Sequence, residues 1–298
     1  MKFALFSGCK IPFYLPQYER ATRAILTALE VQLIDMEFNC CGYPVRHRSF
    51  EAFILSAARN IALAQAKGLD ILTPCKCCFG SLKHAEYWLK ENKSLKDQTN
   101  RLLGRENLKW EGDIRIRHLL SVLAEDVGVE AIGKKIKRFY DGLKVAAHYG
   151  CHALRPANVV GFDNPMAPTI FEKLLAVTGA RSVDWPRRLD CCGNPLWEKN
   201  SRLSLFLMRQ KLEDAAQSGA QVLCTACTYC QMQFDSIRAG RPDDNAFHRQ
   251  LPAVLYPQLL GLCLQLPQES LGLAGNRLDP GWIREYLVAG RQPPSSKN

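Results

Sequence analysis

Ten cysteines carry the chemistry open to this chain, and they fall into two ordered sets of five. The first set is Cys9, Cys40, Cys41, Cys75 and Cys78; the second is Cys151, Cys191, Cys192, Cys227 and Cys230. Each set begins with a cysteine after a glycine, continues as an adjacent pair in Cys-Cys-Gly, and ends in C-x-x-C. Thiolates select zinc, copper(I) and iron–sulfur clusters. A structural zinc ion is full with four ligands, and a cubane cluster takes four, one per iron. Five repeated cysteines exceed both. Adjacent cysteines strain a chelate ring on one metal but can reach two neighbouring irons, so the pattern favours a larger or less regular iron–sulfur assembly. Redox-active thiols and structural cysteines are the alternatives. Gly42 and Gly193 fit a turn crowded by a cofactor, where a residue without a β-carbon is needed.

A disulfide scaffold does not suit this composition. The chain has 298 residues, 47% of them hydrophobic, enough for a core without covalent staples. Thirteen cysteines is an odd count, and neighbouring residues are a poor geometry for a relaxed disulfide. The residues 1–7 lack the apolar length of a signal peptide. The most apolar later window, 251–273, is broken by Pro252, Pro257 and Pro267, short of the roughly 20 residues a spanning helix needs. The expectation is a protein that is not transmembrane, in a reducing, cytoplasmic compartment. The formal charge of +10 is scattered; without a basic run or an aromatic–basic platform no nucleic-acid partner is expected. An acidic protein partner, an anionic substrate or an anionic membrane surface fits equally well, and a solvated basic surface fits at least as well as any of them.

The elements that must position the cysteines repeat as well. Apolar runs at 2–6, 31–34 and 70–73 predict strands, and helical spacing predicts helices over 18–29, 49–67 (capped by Ser49 and closed by Gly68) and from the first C-x-x-C through Trp88. Residues 91–112 are polar and poorly periodic and read as a connection; a helix is predicted over 114–124, and 134–138 reads as a solvent-facing basic patch. The programme then restarts, with strands at 143–147, 181–184 and 221–223 and helices at 168–178 and 201–218. Cys41 and Cys192 lie 151 residues apart, as do Pro44 and Pro195, while Cys75–Cys227 and Cys78–Cys230 lie 152 apart. The repeat predicts an α/β fold of two similar halves related by internal duplication, each a small mostly parallel sheet with helices and one cysteine site. The expected domains are 1–140 and 141–298, with a disordered tail at 292–298.

With thirty or thirty-nine residues from lone cysteine to pair, and 33 or 34 from pair to C-x-x-C, each half resembles the cysteine-rich CCG domain of the heterodisulfide reductase B-subunit family. The resemblance spans nearly the whole chain. It extends to the run from His148 to His152 and to the run from Val254 to Leu262, both similar to stretches typical of that subunit. It implies two [4Fe-4S] clusters of non-cubane type, the first held by Cys9, Cys40, Cys41, Cys75 and Cys78, the second by Cys151, Cys191, Cys192, Cys227 and Cys230. It further implies an oxidoreductase acting on sulfur groups, in which facing clusters cleave or form a disulfide and electrons arrive through a ferredoxin-like iron–sulfur C-subunit. No G-x-G-x-x-G marks a strand-to-helix turn here, so any flavin belongs to a separate A-subunit. The substrate is a disulfide or thiol: the mixed disulfide of two coenzymes in the methanogen-type reductase or, favoured here, a lipoate-bearing carrier protein in the Hdr-like complex of sulfur oxidisers. The alternative is a non-catalytic electron-transfer or membrane-docking subunit, as in some succinate dehydrogenases, thiol:fumarate reductases and glycolate or lactate oxidases. A structural zinc protein is the third reading.

His148 and His152 flank Cys151 and are the candidate catalytic residues, since a departing thiolate needs a proton; a hydrogen bond to a ligand sulfur that tunes the cluster is the plainer role and is preferred. Cys77, Cys224 and Cys263 fall outside the pattern and read as packed, inert thiols, although Cys224 also forms a C-x-x-C with Cys227. Arg46, His47 and Arg48 after the first pair, and Arg187 and Arg188 before the second, are either cations for an anionic arm or solvated loop charges. All five tryptophans read as core.

Overall fold

The structure is a computed structural model and describes residues 1–240 and 251–289; the tail expected to be disordered lies outside the described residues. Phe3, Ala4 and Leu5 are buried in succession, the unbroken apolar run that a parallel strand covered on both faces requires. Strand β1 (Lys2–Leu5) lies between β2 (Gln32–Ile34) and β3 (Asp70–Thr73), and β4 (Ile116–His118) completes the parallel order β2-β1-β3-β4. Helices Pro16–Ala28, Phe50–Gln65 and Lys76–Glu91 make the crossovers. Ser49 caps the second of these, its hydroxyl accepting from the Ala52 amide at 3.1 Å.

After a short strand β5 (Arg138–Tyr140), strands β6 (Lys144–His148), β7 (Arg181–Ser182), β8 (Val222–Thr225) and β9 (Ala253–Leu255) repeat the topology, in the parallel order β7-β6-β8-β9. Strand β10 (Leu287–Ala289) returns antiparallel to β5. The cysteines occupy matching places in the two sheets. Each Gly-Cys follows a central strand (β1, β6), each C-x-x-C follows the other central strand (β3, β8), and each Cys-Cys-Gly follows an edge strand (β2, β7). All six segments leave carboxyl ends of parallel strands, where open α/β sheets collect their ligands.

The halves exchange helices. Tyr256–Cys263, with every residue buried, packs on Pro16–Ala28, and Ile170–Val177 packs on Leu119–Ser121 and Val129–Lys135. At the join, His118 Nε2 lies 3.1 Å from the Pro74 carbonyl and 3.2 Å from that of Ala226, and its Nδ1 accepts from the Leu120 amide. Pro74 and Ala226 each directly precede a C-x-x-C, so one neutral imidazole with its proton on Nε2 ties the two loops together.

The structure corrects three expectations. The helix expected over 114–124 is instead strand β4 followed by a helical turn and a π-helical stretch, Val122–Gly128. Ile116 and His118 are buried while Arg115 and Arg117 reach Asp70, Glu125 and Asp126 outside; this alternation is the period of a strand. The polar connection contains the helix Lys93–Leu103, capped by Asn92, with Leu95, Thr99 and Leu103 as a buried stripe at four-residue spacing. Trp88 is 40% exposed rather than core, edge-on to Phe50.

Candidate metal centre

The thiols of each set form a chain of neighbours. In the first, Cys9 Sγ is 3.7 Å from Cys40 Sγ, and Cys41, Cys78 and Cys75 follow in turn, each thiol acting on the titration of the next. In the second, the same order runs Cys151, Cys191, Cys192, Cys230, Cys227. All ten cysteines named from the sequence thus gather, five by five, around two small cavities. Cys9 is exposed, Cys40, Cys151 and Cys191 are half-buried, and the other six are buried.

The two chains of thiols also meet. The Cys75 and Cys227 sulfurs, one from each set, lie within 4.8 Å of each other and of Cys77 Sγ. Cys77 lines both cavities, as does Tyr229, which occupies the equivalent place in the second C-x-x-C. Cys77, expected to be packed, is buried, and it stands at the junction with its sulfur 3.1 Å from His152 Nδ1. Cys224 and Cys263 are buried in β8 and in the Tyr256–Cys263 helix, where burial pushes their thiols up.

The second sulfur of each chain of thiols, the first of the adjacent pair, is held low. Hydrogen bonds from Cys41 and Cys9 hold the Cys40 thiol down at about 3. Cys151 and Cys192 hold Cys191 at about 2, and the Gly193 amide donates to its sulfur at 3.4 Å. His148, wholly buried, brings Nε2 to 3.2 Å from Cys230 Sγ, and its Nδ1 has no partner among the described residues. Burial drives both His148 and His152 below the ordinary histidine range, with Lys211 beside the first and Arg46 beside the second adding to the effect. Each imidazole thus sits neutral against a sulfur, able to donate an N–H to it or accept its S–H according to tautomer.

The glycines have a different reason from the expected one. Gly42 and Gly193 take φ of 83° and 87°. A β-carbon on them would meet the Phe53 and Ser204 carbonyls at 2.8 and 2.6 Å, the backbone of the following helix rather than a cofactor. Gly8 and Gly150 are the glycines that face sulfur, with a β-carbon 2.7 Å from Cys78 Sγ and 3.4 Å from Cys230 Sγ respectively.

An open groove walled by Tyr43, Pro44, Arg46, Pro195, Lys199 and Tyr229 adjoins both sites, sharing Tyr43, Pro44 and Tyr229 with the first cavity and Pro195 and Tyr229 with the second. Tyr43 packs edge-on to His152 at 5.1 Å and against Tyr229 at 5.4 Å, with the Arg46 guanidinium 4.2 Å over its ring. Arg187 and Arg188 pair instead with Asp190 and Asp184.

An all-sulfur, largely buried donor set of five per cavity fits an iron–sulfur cluster better than zinc, which four thiolates would saturate. Sequence reasoning misses four residues of the centre: Lys76, Lys211, Tyr43 and Tyr229. Lys211 leaves a signal, since it shares a helical face with Ser204, Met208 and Ala215, all buried.

The cysteine-rich domain family CCG matches residues 3–83 and 145–235, one match per half. The chain is 34% identical over 282 residues to the B-subunit of the ferredoxin/F420H2-dependent CoB-CoM heterodisulfide reductase of Methanosarcina acetivorans, covering 93% of this chain and 94% of that one. It is 33% identical to the 8-methylmenaquinol:fumarate reductase membrane anchor subunit of Wolinella succinogenes, covering 93% and 97%. A crystal structure of a hypothetical protein from Helicobacter pylori shares the fold, with TM-score 0.73 and 18% identity over 94% of this chain, which spans about half (52%) of that one. Among the described residues no helix is long and apolar enough to cross a membrane. The two reductase relatives are components of multi-subunit enzymes, and they support an iron–sulfur component of such a complex. The chain belongs to the cysteine-rich CCG-domain family, alongside the B-subunits of the heterodisulfide reductases.

Proposed function

We propose that this chain is the catalytic iron–sulfur subunit of a heterodisulfide-reductase-like complex, in which a disulfide is cleaved or formed between two cysteine-held [4Fe-4S] clusters of non-cubane type. The observation that carries the reading is the meeting of the two five-thiol sets: Cys75 and Cys227 are neighbours, and both cavities open on Cys77 and Tyr229. Each half, 1–140 and 141–298, supplies one set, and the ten named cysteines are the ligands. When bound, such clusters would supply one-electron redox equivalents and iron able to take up a sulfur.

Two electrons and two protons convert one disulfide into two thiols. The chain's own part is to bring the sulfurs in along the groove, past Tyr43, with Arg46 and Lys199 attracting an anionic arm. A proton held at His152 Nδ1 or at Cys77 Sγ is shared across their 3.1 Å contact, beside the position a departing sulfur would take. His148 holds a hydrogen bond on Cys230. The partners under this reading are a ferredoxin-like iron–sulfur subunit, a flavin-bearing subunit, and a lipoate-bearing carrier protein as substrate, all in the cytoplasm.

Anaerobically purified protein is expected to carry about eight irons with matching acid-labile sulfide, and to give a paramagnetic signal that a thiol changes and Cys192→Ser abolishes. Zinc without sulfide would end the proposal. A second reading, an electron-transfer or docking subunit, is favoured by the likeness to the fumarate reductase anchor subunit; it predicts cluster signals indifferent to thiols.

A further inference from the structure

We infer that the two sites are electrostatically unequal, and that the buried lysines Lys76 and Lys211 hold the second site at the higher reduction potential, so that electrons run from the first set of cysteines to the second. The inference rests on the reading that both sets carry clusters.

Lys76 and Lys211 are each 1% exposed. Lys76 belongs to the first C-x-x-C but reaches across the junction, donating to the Tyr149 carbonyl at 2.5 Å and the His148 carbonyl at 3.3 Å, and it lines the second cavity. Lys211 donates to the Arg187 carbonyl and sits 4.6 Å over the Trp185 ring, close to Cys192 and Cys230. Carbonyls and rings satisfy N–H groups but do not cancel a charge. Among the described residues neither lysine forms an ion pair. The nearest acids have other partners: Glu172 takes the Tyr149 hydroxyl, and Asp190, half exposed, pairs with Arg187. Burying a cation without a counter-charge is costly, and the anionic group within reach of both lysines is the second set of thiolates.

The duplication supplies an internal control. Counting by the repeat, Lys211 matches Asn60 and Lys76 matches Thr228. The registers are sound, because Asn200 caps its helix as Ser49 caps the other, and the Gly193–Ser204 approach repeats Gly42–Phe53. Asn60, wholly buried, makes neutral amide bonds to the backbone of Asn39 and Cys40. Behind the first Cys-Cys pair stands a neutral amide; behind the second, a cation. The cations near the first site are Lys10 and Arg46, both part-exposed and therefore screened by water and salt. Both C-x-x-C segments begin helical stretches, so the helix dipole does not separate the sites. Adding an electron to a cluster adds negative charge, which a nearby desolvated cation favours. The first site, with Cys9 exposed where the second has only half-buried Cys151 and Cys191, is the more open to an electron donor.

The experiment is a redox titration of anaerobically purified protein followed by electron paramagnetic resonance, with Cys41→Ser and Cys192→Ser assigning each wave to a half. The expected result is two waves, the higher one lost in Cys192→Ser. Lys211→Gln should lower that wave by at least tenfold in its reduction equilibrium, about 59 mV for one electron, leaving the other in place, while Lys211→Arg restores it. Lys76→Met reads the same effect should Lys211→Gln lose iron. Equal potentials, a higher first site, or unmoved waves in variants of normal iron content overturn the inference and leave the proposed function standing. Protein without iron and sulfide overturns both.

Discussion

Gly8 and Gly150 offer a comparison within one molecule. Both take left-handed backbone, φ 68° and 70°, so replacing either by alanine incurs the same conformational cost, about 1–2 kcal/mol. They differ in what the new β-carbon meets. Ordinary contact begins at about 3.5 Å. The alanine at position 150 would stand 3.4 Å from Cys230 Sγ, close to that limit, whereas at position 8 it would stand 2.7 Å from Cys78 Sγ, forcing a retreat of roughly 0.8 Å. A free thiol can rotate aside; a ligand sulfur cannot, because coordination distances tolerate only about 0.2 Å. Gly8→Ala should therefore lose the iron of the first site, about half of the total, while Gly150→Ala keeps nearly all of it. Iron per chain on anaerobically purified variants, with far-ultraviolet circular dichroism to show that both are folded, makes the test. Equal iron in the two variants, or a greater loss from Gly150→Ala, would refute the argument that Cys78 is pinned by metal behind Gly8.

Two further outcomes follow from the thiols and from the junction histidine. In iron-stripped protein, iodoacetamide at pH 6 should label Cys40 and Cys191 first, since thiols held near 3 and 2 are thiolates there whereas an ordinary thiol, at about 8.5, is almost wholly protonated; peptide mapping that finds uniform labelling only above pH 8 would contradict the hydrogen-bond assignment. Burial, with Lys76 nearby, holds His118 at about 3, so the unfolded chain takes up a proton below about 6.5 that the folded chain refuses. Stability is lost as pH falls from there toward 3, by about 2 kcal/mol at pH 5. Unfolding free energies from urea titrations should fall between pH 7 and 5 by that much more in the wild type than in His118→Gln, and parallel falls would rule out a His118 that stays neutral in the folded chain.

The cysteine sets are legible in the sequence because metal chemistry demands residue types at fixed intervals, and duplication writes the intervals twice. The strands before them are legible for a related reason: a parallel strand covered on both faces must be apolar throughout, as Phe3 to Leu5 are. Strand β4 is harder, because three residues alternating between core and ion pairs resemble one face of a short helix. The Lys93–Leu103 helix hides because its buried stripe is only Leu95, Thr99 and Leu103. In the site, Cys77 looks like an extra thiol until the fold sets the two C-x-x-C loops side by side. Lys76 and Lys211 look like surface charges, since lysine is seldom buried without a partner.

The join at His118 carries a consequence for symmetry. A homodimer built from one half would repeat every residue across its two-fold axis, so its junction would hold two thiols or two phenols, and two lysines or none. Here a single covalent chain crosses that axis, with Cys77 on one side answered by Tyr229 on the other, and Lys76 by Thr228. Fusion frees the two copies to differ where they touch, and that freedom gives a pseudo-symmetric protein an inside with a front and a back.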